Sequence, residues 1–294
     1  MKYPSTYLGD CMTNTSTTET NPSQPSGVHS AALKEHSKTA LEILSVSMTY
    51  PGNDAEVLRD ISFHADKGEF VTFVGPSGCG KSTLFNIVAG LLAPSSGSVI
   101  VDYKENTGSP SDKIGYVLQK DLLLPWRTIR KNVTLGPELS HNRHIDAQQI
   151  TELFHAYHLH GYEDSYPDQL SGGMRQRAAL MRAMLMNPEI ILMDEAYKAL
   201  DYPLKIELES ELLDRVKDSG QTVVFVTHDI EEAVTLSDRI YILKAHPGEI
   251  VDEMQIHLSC NSNKINERRL APEFNEYYER IWKTVESGIR QEKR

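Results

Sequence analysis

Gly75-Pro76-Ser77-Gly78-Cys79-Gly80-Lys81-Ser82-Thr83 sets the fold class of this 294-residue chain. The stretch fits G-x-x-x-x-G-K-[ST], the pattern of a phosphate-binding loop. Its flanks agree with that reading. Glu69 to Val74 is apolar and β-rich and predicts a buried strand, while Ser82 to Leu92 predicts a helix. Strand, glycine loop and helix together aim backbone N–H groups and a positive helix end at an anion. Gly75, Gly78 and Gly80 let the backbone wrap phosphates where a Cβ would collide. Lys81 is placed to reach the β- and γ-phosphates, and the Ser82 hydroxyl to ligate Mg²⁺.

A phosphate loop alone leaves kinases, GTPases, motors and transporters open. A second element is the apolar strand Ile190-Ile191-Leu192-Met193, which runs into Asp194-Glu195. An acid ending such a strand can hold Mg²⁺, and the next acid can polarise a water beside the γ-phosphate. Asp194 is therefore assigned to the metal and Glu195 to the general base. A third element, Leu170-Ser171-Gly172-Gly173-Met174-Arg175-Gln176-Arg177, opens a helix. Ser171 can cap that helix and bind phosphate oxygens, and Gly172 and Gly173 expose N–H groups at its positive end. This is a second anion site, and two chains arranged head to tail could each supply one half of a nucleotide site.

Strands and helices alternate along most of the chain, which predicts an α/β sheet, largely parallel at its centre. Leu41 to Tyr50 and Val57 to Ala65 predict two β-segments joined by a turn at Pro51-Gly52-Asn53-Asp54. Lys104 to Asp112 reads as polar loop. Thr128 to about Tyr166 reads as helical, with an amphipathic helix from Ala147 to His160. His155 and His158, three apart, would share a face of it, either as a solvated surface or as a metal pair lacking a third ligand. Residues 1–38 are rich in Ser, Thr, Asn and Pro and read as a disordered leader. Pro272 to about Arg290 is amphipathic, with Phe274, Tyr278, Ile281, Trp282 and Val285 on one side.

The formal charge is −11, which argues against a general phosphate-directed field for nucleic acid. Three cysteines, Cys11, Cys79 and Cys260, stand far apart and suggest neither a zinc site nor a disulfide framework. A reducing cytosol is the simplest setting. No apolar run approaches the ~20 residues of a membrane span, and the N-terminus lacks a secretory core.

The segment Leu170 to Arg177 resembles the signature motif of the ATP-binding cassette (ABC) ATPases, and other motifs of that family follow in order. Tyr50 resembles the aromatic that stacks on adenine. Gln119 resembles the Q-loop glutamine, which ligands Mg²⁺ and senses the transmembrane partner. Ala199-Leu200-Asp201 resembles the D-loop, and His228, after the strand Val223 to Thr227, resembles the switch histidine on the γ-phosphate. The resemblance covers about Leu41 to Met254. It implies a P-loop NTPase fold of ABC type over residues 39–255, with a central mostly parallel sheet, an antiparallel β-subdomain and a helical subdomain at about 128–186. A helical tail would occupy 256–294. It also implies that ATP and Mg²⁺ bind Tyr50, the loop Gly75 to Thr83, Gln119, Ser171, Gly172, Gly173 and Asp201. Ser82, Gln119 and Asp194 would hold the metal, and Glu195 and His228 would be catalytic.

The same resemblance implies a head-to-tail pair of cassettes, like or unlike, closing on two ATPs and driving a separate membrane permease from the cytoplasmic face. Leu122-Leu123-Leu124-Pro125-Trp126-Arg127-Thr128-Ile129-Arg130-Lys131-Asn132-Val133 is similar to the segment after the Q-loop in nitrate/sulfonate/taurine importer ATPases. His246-Pro247-Gly248-Glu249-Ile250 and the stretch from Pro272 to Trp282 resemble the C-terminal region of that subfamily. A bacterial importer with a periplasmic or lipoprotein solute-binding protein, and no nucleic acid, would follow. The chain departs from the subfamily at Ala196, Tyr197 and Lys198, where Pro, Phe and Gly are usual. Lys198 thus places a long cation where the subfamily has a small residue. A soluble ABC ATPase of translation or DNA maintenance, and a regulatory non-hydrolysing cassette, are the alternatives. The single signature weighs against the first, and Glu195 with His228 against the second.

Overall fold

The computed structural model describes residues 38–106, 108–140, 146–260 and 262–292, with side chains as far as 288. The leader expected over residues 1–38 lies, apart from Lys38, outside them. The first half of the chain runs β1 (Thr39–Thr49), β2 (Glu56–Asp66), β3 (Phe70–Val74), α1 (Lys81–Val88), β4 (Ser96–Val101), β5 (Lys104–Glu105) and β6 (Ile114–Val117). Four short helices follow: α2 (Ile129–Val133), α3 (Leu135–Leu139), α4 (Ala147–Ala156) and, after a 3₁₀ turn, α5 (Gly172–Met184). The second half adds β7 (Ile190–Asp194), α6 (Tyr202–Ser219), β8 (Thr222–Thr227), α7 (Ile230–Leu236), β9 (Arg239–Lys244) and β10 (Glu249–Gln255). Two last helices are α8 (Ile265–Arg268) and α9 (Phe274–Glu292).

Two sheets form. One is antiparallel, in the order β2-β1-β4-β5, and the other runs β10-β9-β3-β8-β7-β6. In the second, β9, β3, β8, β7 and β6 are parallel and β10 is an antiparallel edge. Every residue of β3, β7 and β8 is buried, as expected of parallel strands covered on both faces. Phe73 of β3 meets Phe63 of β2 edge-on at 4.7 Å and stacks on Tyr241 of β9 at 5.3 Å. These rings join the antiparallel sheet to the central one, at a geometry aromatic pairs favour.

The central register positions the site. β3, β8 and β7 lie side by side, with Val74 opposite Thr227 and Asp194 opposite Val226. Their carboxyl ends therefore release three loops together: the phosphate loop after Val74, His228 after Thr227, and Glu195 after Asp194. Ligands of open α/β sheets collect at this edge.

Three expectations are corrected. The polar loop from Lys104 contains a two-residue strand, because Lys104 and Glu105 fold back on Val101 and Ile100. The helix predicted from Ala147 to His160 stops at Ala156, and His158 takes a left-handed φ of 52°. His155 and His158 therefore share no helix face. His158 reaches Glu207 at 3.1 Å, His155 stacks on His160, and no metal-ligating group of three exists among the described residues. On α9, Phe274 and Ile281 are buried and Tyr277, Tyr278 and Val285 pack with them, but Trp282 is 54 % exposed. One position beyond Ile281 is a rotation of about 100°, which carries Trp282 off the packed stripe.

Candidate functional site

The phosphate loop is built by its neighbours as much as by its sequence. Gly80 has a φ of +87°, and a Cβ there would lie 2.5 Å from Leu58 Cδ2. At Gly75 a Cβ would lie 2.7 Å from the carbonyl of Leu243. Protein atoms already demand glycine at these positions, before any phosphate is considered. The Lys81 ammonium curls back over the loop and donates to the carbonyls of Gly75 and Pro76, both at 2.8 Å. Cys79 is fully buried, and burial pushes its thiol up despite Lys81 nearby.

A cavity of about 370 Å³ lies over the loop, lined by Val57, Ser77, Gly78, Gly80, Lys81, Ser82, Thr83, Gln119, Asp194, Glu195 and Lys198. The Ser82 hydroxyl donates to Asp194 Oδ2 at 2.8 Å. Burial raises the Asp194 carboxyl above its ordinary range, and the Glu195 charge beside it adds to this. Glu195 sits at a left-handed φ of 47° and is held on both oxygens. Gln119 Nε2 at 2.7 Å and Lys198 Nζ at 2.9 Å bond Oε2, and His228 Nδ1 bonds Oε1 at 2.8 Å. Burial opposes its ionisation, but the bonds and charges of Lys198 and His228 win and hold the carboxyl below its usual range. Tyr50 adjoins the loop through a hydroxyl contact of 3.1 Å with Thr83.

The sequence-predicted residues thus separate into two groups. Tyr50, the loop Gly75 to Thr83, Gln119, Asp194, Glu195 and His228 converge. Ser171, Gly172, Gly173 and Asp201 do not line the cavity. Ser171 caps α5 by accepting from the Met174 N–H at 3.3 Å, and a Cβ on Gly173 would lie 3.0 Å from the Ala199 carbonyl. The start of α5 and Ala199 are therefore packed together, and Ser171, Gly172, Gly173 and Asp201 stay outside the lining of that cavity.

The family model described as ABC transporter matches residues 58–198. A protein of Methanocaldococcus jannaschii called "Uncharacterized ABC transporter ATP-binding protein MJ0412" is 42 % identical over 253 residues, 86 % of this chain and 92 % of its own. The aliphatic sulfonates import ATP-binding protein SsuB of Bacillus anthracis is 42 % identical over 212 residues, 72 % of this chain and 83 % of its own. This chain belongs to the ATP-binding proteins of ABC transporters. A solved dimer of the cassette MJ0796 in a post-hydrolysis state with ADP and Pi superposes at a TM-score of 0.67, with 31 % identity over 74 % of this chain and 99 % of that one. The chain is an ABC-type ATPase with the α/β fold of the P-loop NTPases. Among its described residues no helix is long and apolar enough to cross a membrane.

Sequence reasoning missed two supports of this ABC ATPase's site. The turn after β9 presses on the phosphate loop, since a Cβ on Gly248 would lie 2.2 Å from the Cys79 carbonyl. Nothing local to Gly248 announces a contact with a loop so distant in sequence. The other is a charged cluster behind His228. Lys205 reaches Asp229 at 3.2 Å and Glu209 at 3.8 Å, and also pairs with Glu232, which accepts from Thr227.

Glu209 is fully buried, and burial, aided by the Glu232 charge, pushes its carboxyl up to about 8. In an unfolded chain a glutamate titrates near ~4.3. The fold therefore binds a proton that the open chain has lost, and this contribution to stability fades as pH rises between about 4 and about 8. Glu209→Gln needs no such proton. Calorimetry is expected to show a Tm about 2–6 °C above wild type near pH 9 and none of that gain near pH 4. An equal gain at both pH values would mean that Glu209 is ionised throughout.

Proposed function

We propose that this ABC ATPase is the ATP-hydrolysing subunit of a membrane importer for a small solute, working as a head-to-tail pair of cassettes on a separate permease. The split between the cavity and the signature carries the reading. Gly172 and Gly173 present N–H groups at the start of α5, a ready anion site, yet they do not line their own chain's phosphate cavity. A second cassette turned head to tail would bring its signature to that cavity, and Asp201 would lie at the same junction. The dimeric form of the MJ0796 cassette supports this. The likeness to a sulfonate-import ATP-binding protein supports import of an organic anion of that kind.

In this reading residues 39–255 form the cassette, its helical part spans about 128–186, and 256–294 is a helical tail. Tyr50 stacks on adenine. Lys81 leaves its loop carbonyls for the β- and γ-phosphates. The oxygens of Ser82, Asp194 and Gln119 are hard donors that suit Mg²⁺. A buried carboxylate bonded by a hydroxyl at 2.8 Å, with the Lys81 charge nearby, also fits a site completed by a cation. When bound, Mg²⁺ would neutralise charge on the β- and γ-phosphates. Glu195 takes the proton of the water that attacks the γ-phosphorus, and His228 orients Glu195 and the γ-phosphate. Products are ADP and phosphate. The chain would sit peripherally on the cytoplasmic face of the membrane.

The test is recovery of tagged chain from detergent-solubilised membranes of its host, with partners identified by mass spectrometry. A polytopic permease at near-equal amount is expected. Recovery with ribosomes or DNA-repair proteins, and no permease, would overturn the importer.

A further inference from the structure

We propose that Lys198 is a positioning residue that restrains turnover by tethering the Glu195 carboxylate, and that hydrolysis requires this tether to open. The inference rests on Glu195 being the general base. Lys198 and Glu195 belong to one turn, in which the Lys198 N–H donates to the Glu195 carbonyl at 3.2 Å. The turn brings the ammonium to Oε2 at 2.9 Å, beside the Gln119 amide at 2.7 Å, while His228 takes Oε1. Every oxygen of the base is therefore engaged.

To take a proton from water, Glu195 needs a lone pair free and aimed at that water. Of its three donors, Lys198 brings a permanent charge, and it holds Oε2 turned away from such a water. Glu195 is 14 % exposed and Lys198 56 %, so the pair is only partly screened and the lysine head has solvent to move into. Lys198 also borders two cavities: the one over the phosphate loop, and another of about 270 Å³ reaching Tyr202, Asp229 and Glu232. The ammonium can thus leave Glu195 without being forced through packed protein. A side chain this exposed contributes little to the fold, so its removal reports on the base.

Steady-state ATP hydrolysis by the full-length chain tests this in five forms: wild type, Lys198→Ala, Lys198→Arg, Glu195→Gln and the double variant Glu195→Gln/Lys198→Ala. Lys198→Ala is expected to raise kcat about 3–10-fold, with the KM for ATP within about twofold. Lys198→Arg should keep the wild-type rate, because it keeps the charge. The double variant should be no faster than Glu195→Gln, because Lys198 acts through that carboxylate. A kcat unchanged or lowered by Lys198→Ala, a gain also seen with arginine, or an equal gain in the Glu195→Gln background would each overturn the tether. Wild-type activity of Glu195→Gln is a separate failure, since it removes the general base itself.

Discussion

Glu195→Gln is expected to lower the ATPase rate about 10²–10⁴-fold while leaving ATP binding in place. The amide keeps the size of the carboxylate and can still bond its neighbours, so the loop after β7 should hold. What it loses is the capacity to accept a proton. Because Glu195 is bonded to His228 at 2.8 Å and Gln119 at 2.7 Å, all from different loops, the change falls where three strand ends meet. ATP that binds and is not cleaved would accumulate, and with it the closed pair of cassettes. Retention of labelled ATP after rapid desalting, alongside phosphate release, distinguishes this from simple misfolding. A variant that releases phosphate at the wild-type rate would move the base elsewhere.

Lys81→Ala is expected to abolish measurable turnover by a different route. Its ammonium is the one full charge supplied by the loop Gly75 to Thr83, and it already spans the loop by holding two carbonyls at 2.8 Å. Removing it takes away a charge-assisted bond to phosphate and weakens ATP binding by roughly 10–100-fold. The loss of charge stabilisation during phosphoryl transfer adds about 10²–10³-fold in rate. The two variants should therefore separate in an equilibrium binding assay with a fluorescent ATP analogue: Glu195→Gln binds it and Lys81→Ala does so poorly. Equal affinities would show that Lys81 has no part in holding the phosphates.

Local signals made the phosphate loop, the acid-tipped β7 and His228 after β8 legible from sequence. Each is a few residues beside a buried apolar strand. That β3, β8 and β7 are neighbours was not legible, because parallel strands pair across long crossovers and their order leaves no local trace. β5 was missed for a related reason. Its hairpin turns on Asp102 and Tyr103, both with positive φ, and Tyr103 stands where sequences announce such a turn with glycine. His158 bends out of its helix in the same left-handed way. The contact between Lys198 and Glu195 follows from their spacing once the turn is known, but the turn itself carries no glycine or proline to mark it. The charges around Glu209 were hidden because a glutamate on a helix reads as surface until its burial is seen.

The most direct test of the paired-cassette account is the mass of Glu195→Gln in solution, by light scattering coupled to gel filtration, with and without Mg-ATP. The account predicts a monomer that doubles its mass when ATP is added, and no doubling with ADP. A monomer that binds ATP and stays a monomer would contradict it, because the signature at Ser171 would then have no phosphate to meet.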